Sequence, residues 1–260
     1  MYNDLFTIGS FTVHSYGLMI AVGLLSGYLI AEKRAQKKHL NTDELLNLFF
    51  VCMLGCAIGG KLLYCIVEYE TFSKNPALLF DLENGFVIYG GLIGALFAGY
   101  KYCRFNGLSF LKYFEIFVPS LAWAQGFGRI GCFLAGCCYG KPTDAWYGIA
   151  FTHSNIAPNN IPLIPTQLIS SVFDFILAGL LFYIASKKKK DGILLSVYLI
   201  LYSIGRFMIE FLRNDERGFI AFLSTSQLIS IFTLLLGIYL YYKSTQKVII
   251  KHDRGNKYEF

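Results

Sequence analysis

Apolar residues gather in seven runs along the chain, separated by short polar stretches. They extend from His14 to Ile30, from about Leu45 to Val67, from about Phe86 to Tyr102, and from near Tyr113 into a glycine-rich stretch around position 129. The last three run from about Gln167 to Ala185, Ile193 to Leu212 and Gln227 to Tyr242. Each run is close to the ~20 residues that a helix needs to cross a hydrocarbon core of about 30 Å. The pattern predicts an all-α, polytopic membrane protein with about seven transmembrane helices. It places one transmembrane domain at 1–242 and a basic tail at 243–260. The longest polar loop, 139–165, holds four of the six prolines.

Composition agrees with this pattern. Of the 260 residues 55% are hydrophobic and 15% charged, with a mean hydropathy of +0.50; a soluble domain carries about 25% charged residues. The N-terminus lacks the basic stretch, short apolar core and small-residue cleavage site of a signal peptide, so none is expected. The net charge of +6 is explained by topology and does not call for a nucleic-acid partner. With the stretch after the first run placed in the cytoplasm, the inside segments hold 33–38, 101–112, 187–190 and the tail. They carry 16 of the 23 Lys and Arg, against four outside: Lys74, Lys141, Arg213 and Arg217. The basic side of a membrane protein is the cytoplasmic one. The N-terminus is therefore expected outside and the C-terminus in the cytoplasm.

The three remaining cations, Lys61, Arg129 and Arg206, lie within apolar runs that head outward. A charge in an apolar run costs roughly 2.5–3.5 kcal/mol at mid-bilayer, so it faces protein or water and marks function. Three cations at similar depth point to one anionic ligand near the outer leaflet, and a phospholipid headgroup is the obvious anion there. Arg suits phosphate because its planar fork bonds two oxygens at once. Glu210 is the one acidic residue expected at that depth. With Tyr202 and Arg206 it forms a stripe at i, i+4 spacing. Glu210 is open to two readings, a structural partner of Arg206 or a catalytic carboxylate. Tyr16, Tyr89 and Tyr202 are open to membership of an interfacial aromatic belt, and His14 to an interface role. The glycines at 55–60 and 90–99 read as helix-packing positions.

Arg129 sits in Gln125-Gly-Phe-Gly-Arg-Ile-Gly-Cys-Phe-Leu-Ala-Gly-Cys-Cys-Tyr-Gly140, a stretch with five glycines and three cysteines. Such glycine density lets backbones approach closely or lets a membrane helix break beside a cavity. The stretch is expected to form the floor of an active site. Cys52, Cys56, Cys65 and Cys103 read as small buried hydrophobes. Cys132, Cys137 and Cys138 leave more open. Cys132 can bridge Cys137 or Cys138, whereas the adjacent pair is a poor bridge. The CxxxxCC spacing is a weak zinc pattern, because a tetrahedral site needs a fourth ligand and none is obvious nearby.

Several segments together resemble the prolipoprotein diacylglyceryl transferase family. They are His14-Ser-Tyr-Gly-Leu-Met19, Gly59-Gly-Lys61, Tyr89-Gly-Gly-Leu-Ile-Gly94, Gly128-Arg-Ile-Gly131, Pro165-Thr-Gln167 and Tyr202-Ser-Ile-Gly-Arg-Phe-Met-Ile-Glu-Phe-Leu-Arg213. Order and spacing fit from His14 to about Tyr242. The resemblance implies seven membrane helices with an external N-terminus in the bacterial cytoplasmic membrane, and an active site near the outer leaflet. It implies transfer of the diacylglyceryl group of phosphatidylglycerol to the thiol of a lipobox cysteine in a preprolipoprotein, with glycerol-1-phosphate leaving. No cofactor and no metal are expected. Arg129 and Arg206 would bind and stabilise the phosphate, Glu210 would orient Arg206, and Tyr202 and Tyr16 would position the headgroup. Gly128 and Gly131 would allow close approach, and Lys61 would add charge.

The chain departs from the family pattern at definite positions. Tyr89 stands where the family usually has a histidine proposed as a base. With a pKa of about 10, a tyrosine is a poor base at neutral pH unless arginines depress it. Cys132, Ala135 and Cys137 replace two asparagines and a glutamate, and Ile169 and Ser170 replace a tyrosine and a glutamate. Two other readings follow. One is a divergent paralogue with a phospholipid donor and another acceptor, or with thiol chemistry at Cys132, Cys137 and Cys138. The other is a non-enzymatic lipid-binding or transport protein.

Overall fold

The computed structural model describes residues 4–8, 11–75, 85–187, 191–215, 219–220 and 222–255. Lys188 to Lys190, Arg217 and Lys257, all used in the charge count, lie outside the described residues. Eight helices are described: α1 (Ser15–Lys37), α2 (Thr42–Val67), α3 (Tyr69–Lys74), α4 (Ile88–Phe105), α5 (Phe110–Ala135), α6 (Thr166–Ser186), α7 (Ile193–Glu210) and α8 (Thr225–Gly255). Every predicted run falls on one of the seven long helices. Five of them, α1, α2, α6, α7 and α8 as far as Gln246, are long and apolar enough to cross a membrane. In α4 the cations Lys101 and Arg104, and in α5 the residues Lys112, Glu115, Gln125 and Arg129, dilute the apolar content.

The helices carry large apolar side chains on their outer surfaces. Leu54, Phe97 and Ile176 are each more than 60% exposed, as lipid-facing residues must be. The chain is a helical, multi-pass membrane protein. It also contains short ribbons that the apolar pattern did not announce. Antiparallel β1 (Asp4–Ile8) and β2 (Phe11–His14) lead into α1, β3 (Ile149–Ala150) pairs with β4 (Pro162–Leu163), and β5 (Phe219–Ile220) pairs with β6 (Leu223–Ser224). The expected boundary at 242/243 falls inside α8, which continues unbroken to Gly255.

The chain divides into two compact units, Glu32–Phe114, and Met1–Ala31 with Glu115–Phe260. In the first, Asn41 caps α2 by accepting from the backbone N–H of Asp43 and Glu44, at 2.9 and 3.3 Å, which satisfies two of the free donors of the first turn. α2 and α4 pack through glycine. A methyl group added at Gly55 would lie 2.6 Å from the carbonyl oxygen of Gly94, and one at Gly94 would lie 2.9 Å from the Cα of Gly59. This is the close approach that small-residue stripes allow between membrane helices, and it bears out the packing role expected for those glycines. The Tyr102 hydroxyl donates to Glu44 at 2.7 Å across the same pair.

In the second unit, Gly23 and Gly27 of α1 face Ala124, Phe127 and Ser120 of α5, and Gly126 of α5 faces the ring of Phe175 on α6. The Ser171 hydroxyl crosses from α6 to the Gly126 carbonyl at 2.9 Å. Ser203 and Thr233 join α7 to α8 at 2.7 Å. Glu115, 3% exposed, accepts from the backbone N–H of Gly192 at 2.6 Å and of Leu194 at 3.1 Å. Its negative charge thus sits on the positive end of the α7 dipole. The polar loop after α5 has a small core of its own, in which Phe151, Ala157 and Leu163 pack with Phe133 and Tyr139.

Candidate active site

The site grows from one face of α7. Tyr198, Tyr202, Arg206 and Glu210 recur at i, i+4 spacing and therefore stack along one stripe. The rings of Tyr198 and Tyr202 stack at 5.5 Å, and the Tyr198 hydroxyl donates to Gln125 on α5 at 3.0 Å. Arg206 donates from Nη1 to Glu210 at 2.6 Å and from Nη2 to the Ser226 hydroxyl at 2.9 Å. A guanidinium has five N–H donors, and among the described residues Arg206 uses two of them.

Glu210 is a hub rather than a simple partner. The Ser224 hydroxyl donates to its Oε1 at 2.7 Å, and Arg213 approaches its Oε2 at 3.5 Å. Ser224 also belongs to a reciprocal cap at the start of α8. Its backbone N–H donates to Gln227 Oε1 at 3.0 Å, and Gln227 N–H donates to the Ser224 hydroxyl oxygen at 3.2 Å. This is the S-x-x-Q capping box, so the start of α8 is tied to the end of α7. Arg213 is held by Asp215 through two parallel bonds of 2.9 and 2.5 Å. The backbone around it pairs with the cysteine-rich turn: Lys141 N–H donates to the Leu212 carbonyl and Asn214 N–H to the Tyr139 carbonyl.

Arg129 lies on α5 two turns before its end. The helix does not break at the glycines around it. It stops at Gly136, where φ is +73°. Cys137 N–H donates to the Cys132 carbonyl at 3.1 Å and Gly136 N–H to the Phe133 carbonyl at 3.2 Å. This pair of bonds is a Schellman cap. Cys138 then also adopts a positive φ, +57°, uncommon for a side-chain-bearing residue and costing of order 1 kcal/mol or more. The turn is fastened from α6: Thr166 donates to the Cys138 carbonyl and Gln167 Nε2 to the Cys137 carbonyl, both at 2.7 Å. The result brings the sulphur atoms of Cys132, Cys137 and Cys138 within 4.8 Å of one another, all three as free thiols. Hydrogen bonds from the Cys132 and Cys137 thiols, and then the charges of Arg213 and Arg129, hold the Cys138 thiol pKa below its ordinary value.

Arg129 and Arg206 come from separate helices and lie within electrostatic range of each other. Tyr202 acts on both. So does Asp174 of α6, which is 2% exposed. This corrects the expectation that Glu210 is the single acidic group at that depth. Asp174 was legible by the rule that singled out Arg129, since it is an ionisable residue inside an apolar run. Arg213, counted only as an outside charge, joins the same network through Glu210. Tyr198 and Ser224 gave no sequence signal beyond helical spacing and the cap motif.

The other expected residues fall as follows. Tyr16 opens α1, and its ring lies against Gly131, where an added methyl would sit 3.0 Å from the ring edge. A methyl at Gly128 would meet nothing within 4 Å, so the space beside Arg129 is open there. Lys61 on α2, with its ammonium 5.5 Å from the Tyr64 ring centre, and half-buried Tyr89 on α4 belong to the other unit. Among the described residues no fourth metal-ligating side chain joins the three cysteines.

The geometry therefore has two arginines within electrostatic range of each other, a buried carboxylate hub, and a thiol cluster beside them. A sequence model of the prolipoprotein diacylglyceryl transferase family matches residues 3–243. The chain is 48% identical over 237 residues to the phosphatidylglycerol–prolipoprotein diacylglyceryl transferase of Clostridium tetani, covering 91% of this chain and 95% of that one. It is 48% identical over 247 residues to the second such enzyme of Clostridium perfringens, covering 94% and 95%. The counterpart from Finegoldia magna is 34% identical over 250 residues, covering 95% and 97%. With the match spanning residues 3–243, the chain belongs to the prolipoprotein diacylglyceryl transferase family.

Proposed function

We propose that this chain is a phosphatidylglycerol–prolipoprotein diacylglyceryl transferase. The observation that carries the reading is the convergence of Arg129 and Arg206, from two helices, on one polar site that also holds Tyr202 and Asp174. The donor is phosphatidylglycerol and the acceptor is the lipobox cysteine of a preprolipoprotein. The acceptor thiol loses its proton, and its sulphur forms a bond to the terminal glyceryl carbon. The bond from that carbon to the phosphate oxygen breaks, and the electron pair leaves with glycerol-1-phosphate.

Charge builds on the leaving phosphate as the C–O bond breaks. Preorganised donors aimed at that charge lower the barrier, each by about 2.7–4 kcal/mol where such donors have been removed. Arg129 and Arg206 fill this role, the second held by Glu210. Tyr202 and Tyr16 position the headgroup, Gly131 lets Tyr16 come close, and the open space at Gly128 receives part of the lipid. Tyr89 stands at the sequence position of the family's histidine, and both it and Lys61 belong to the other unit. The protein crosses the bacterial cytoplasmic membrane seven times, with its N-terminus outside, its basic end in the cytoplasm and its site near the outer leaflet.

The test is transfer from labelled phosphatidylglycerol to a synthetic lipobox peptide by purified protein in detergent. Arg129→Ala and Arg206→Ala are each expected to lower the rate about 10²–10³-fold. Unchanged rates in both would sink the assignment. The cysteine cluster favours a second reading, in which the donor is the same and the acceptor is a different thiol or hydroxyl. That reading predicts consumption of phosphatidylglycerol without labelling of the peptide.

A further inference from the structure

We propose that Cys132, Cys137 and Cys138 form a three-thiolate site for a zinc ion whose fourth position binds and activates the acceptor thiol. The inference rests on the transferase reading above and adds to it a metal and the source of the nucleophile.

Three features carry it. First, the three sulphurs already lie within 4.8 Å of one another; Zn–S bonds of about 2.3 Å in a tetrahedral arrangement need them roughly 3.8 Å apart. A small inward movement suffices. Second, the cluster is built rather than incidental. Gly136 at φ +73° and Cys138 at φ +57° fold the chain back so that Cys137 and Cys138 return beside Cys132. Thr166 and Gln167 then clamp both carbonyls of the turn. Gln167 is 1% exposed, and its Oε1 has no hydrogen-bond partner among the described residues. A buried acceptor in that condition calls for a donor, which a backbone N–H of the bound acceptor peptide would supply beside its cysteine. Third, three thiolates around a divalent ion leave one net negative charge, and both Arg129 and Arg213 lie within electrostatic range of the cluster.

The missing fourth ligand, which weakened the sequence pattern as a structural zinc site, is what a working site requires. Structural zinc sites are closed by four protein ligands, whereas catalytic ones keep one position for water or substrate. Thiolate ligands select borderline-soft ions such as zinc over magnesium or calcium. A thiol that coordinates such an ion is deprotonated outright. The acceptor cysteine would release its proton to solvent on binding. Its sulphur would then be held as a thiolate beside Arg129, where the phosphate leaves. No redox step is involved, and the site does not need Tyr89 to act as the base.

The experiment titrates reduced, chelator-stripped protein with Co(II), a spectroscopic stand-in for zinc, and measures bound zinc directly on reconstituted protein. One equivalent per chain is expected, with a sulphur-to-cobalt charge-transfer band. Cys132→Ser and Cys137→Ser are each expected to weaken binding at least about tenfold, while Cys52→Ser and Cys65→Ser leave it unchanged. Stripping the metal is expected to lower peptide transfer at least about tenfold, and added Zn(II) to restore it. Failure of the wild-type protein to take up metal would overturn the proposal, as would a disulfide between two of the three cysteines in protein isolated without air. Full transfer by metal-free protein would overturn it too. Absence of transfer in every condition, with metal bound, would overturn the transferase reading and with it the proposed role of the ion, whereas loss of metal with transfer intact would leave that reading standing.

Discussion

Arg206 and Glu210 are one turn apart on α7 and joined at 2.6 Å, yet they are unequally covered: the arginine side chain keeps 14% of its surface open and the glutamate 2%. The carboxylate is locked inside by Ser224 and Arg213, and the guanidinium is presented by it. Exposed i, i+4 ion pairs contribute only about 0.3–0.5 kcal/mol. This pair does more by fixing the direction of an arginine that uses two of its five donors among the described residues.

Glu210→Gln tests the hub. The change leaves Arg206 and Arg213 without their shared counter-charge. Removing one partner of a buried pair costs about 3–5 kcal/mol. The detergent-solubilised variant is expected to unfold at lower temperature and to transfer at least about tenfold more slowly. A variant with unchanged melting and rate would show that Glu210 orients nothing.

Asp174→Asn tests the counter-charge shared by the two arginines. Without it, Arg129 and Arg206 repel each other in the empty protein, and an anionic lipid relieves that repulsion. The variant is expected to melt lower than wild type without lipid, and to gain more from added phosphatidylglycerol. Equal thermal shifts in the two proteins would remove Asp174 from the site.

The capping box separates stability from chemistry. Gln227→Ala loses one reciprocal bond at the start of α8 and is expected to cost about 1 kcal/mol, with transfer within a few-fold of wild type. Ser224→Ala loses the cap and the bond to Glu210 together. It is expected to cost more stability and to slow transfer as well. Identical behaviour of the two variants would separate the cap from the hub.

Two glycines make a matched pair. Gly94→Val puts branched carbons against the backbone of α2, where even one methyl would lie 2.9 Å from the Gly59 Cα, and is expected to abolish folded, monodisperse protein. Gly128→Ala meets nothing and is expected to melt like wild type while raising the KM for phosphatidylglycerol. An unchanged KM would mean that lipid does not enter the space beside Arg129.

The seven runs and the two arginines were legible because each is a local property of the chain. An apolar stretch of about 20 residues declares a membrane helix by its length, and a charge inside it stands out without knowledge of its neighbours. The i, i+4 stripe from Tyr202 to Glu210 follows from the helical repeat alone. The packing of Gly55 and Gly59 on α4 was legible for the same reason.

The rest depended on where distant segments return. Thr166 meets the Cys138 carbonyl from 28 residues away, and Glu115 caps α7 from 77 residues away. Neither contact has a period that a sequence can display. The thiol cluster needed two positive φ angles in three residues, and the hub at Glu210 needed α8 to start beside the end of α7. Sequence alone set which segments are helices and which charges they carry. Tertiary packing decided which of those charges face one another, because a side chain's partners are fixed by the crossing of helices and the closing of turns, and not by its position along the chain.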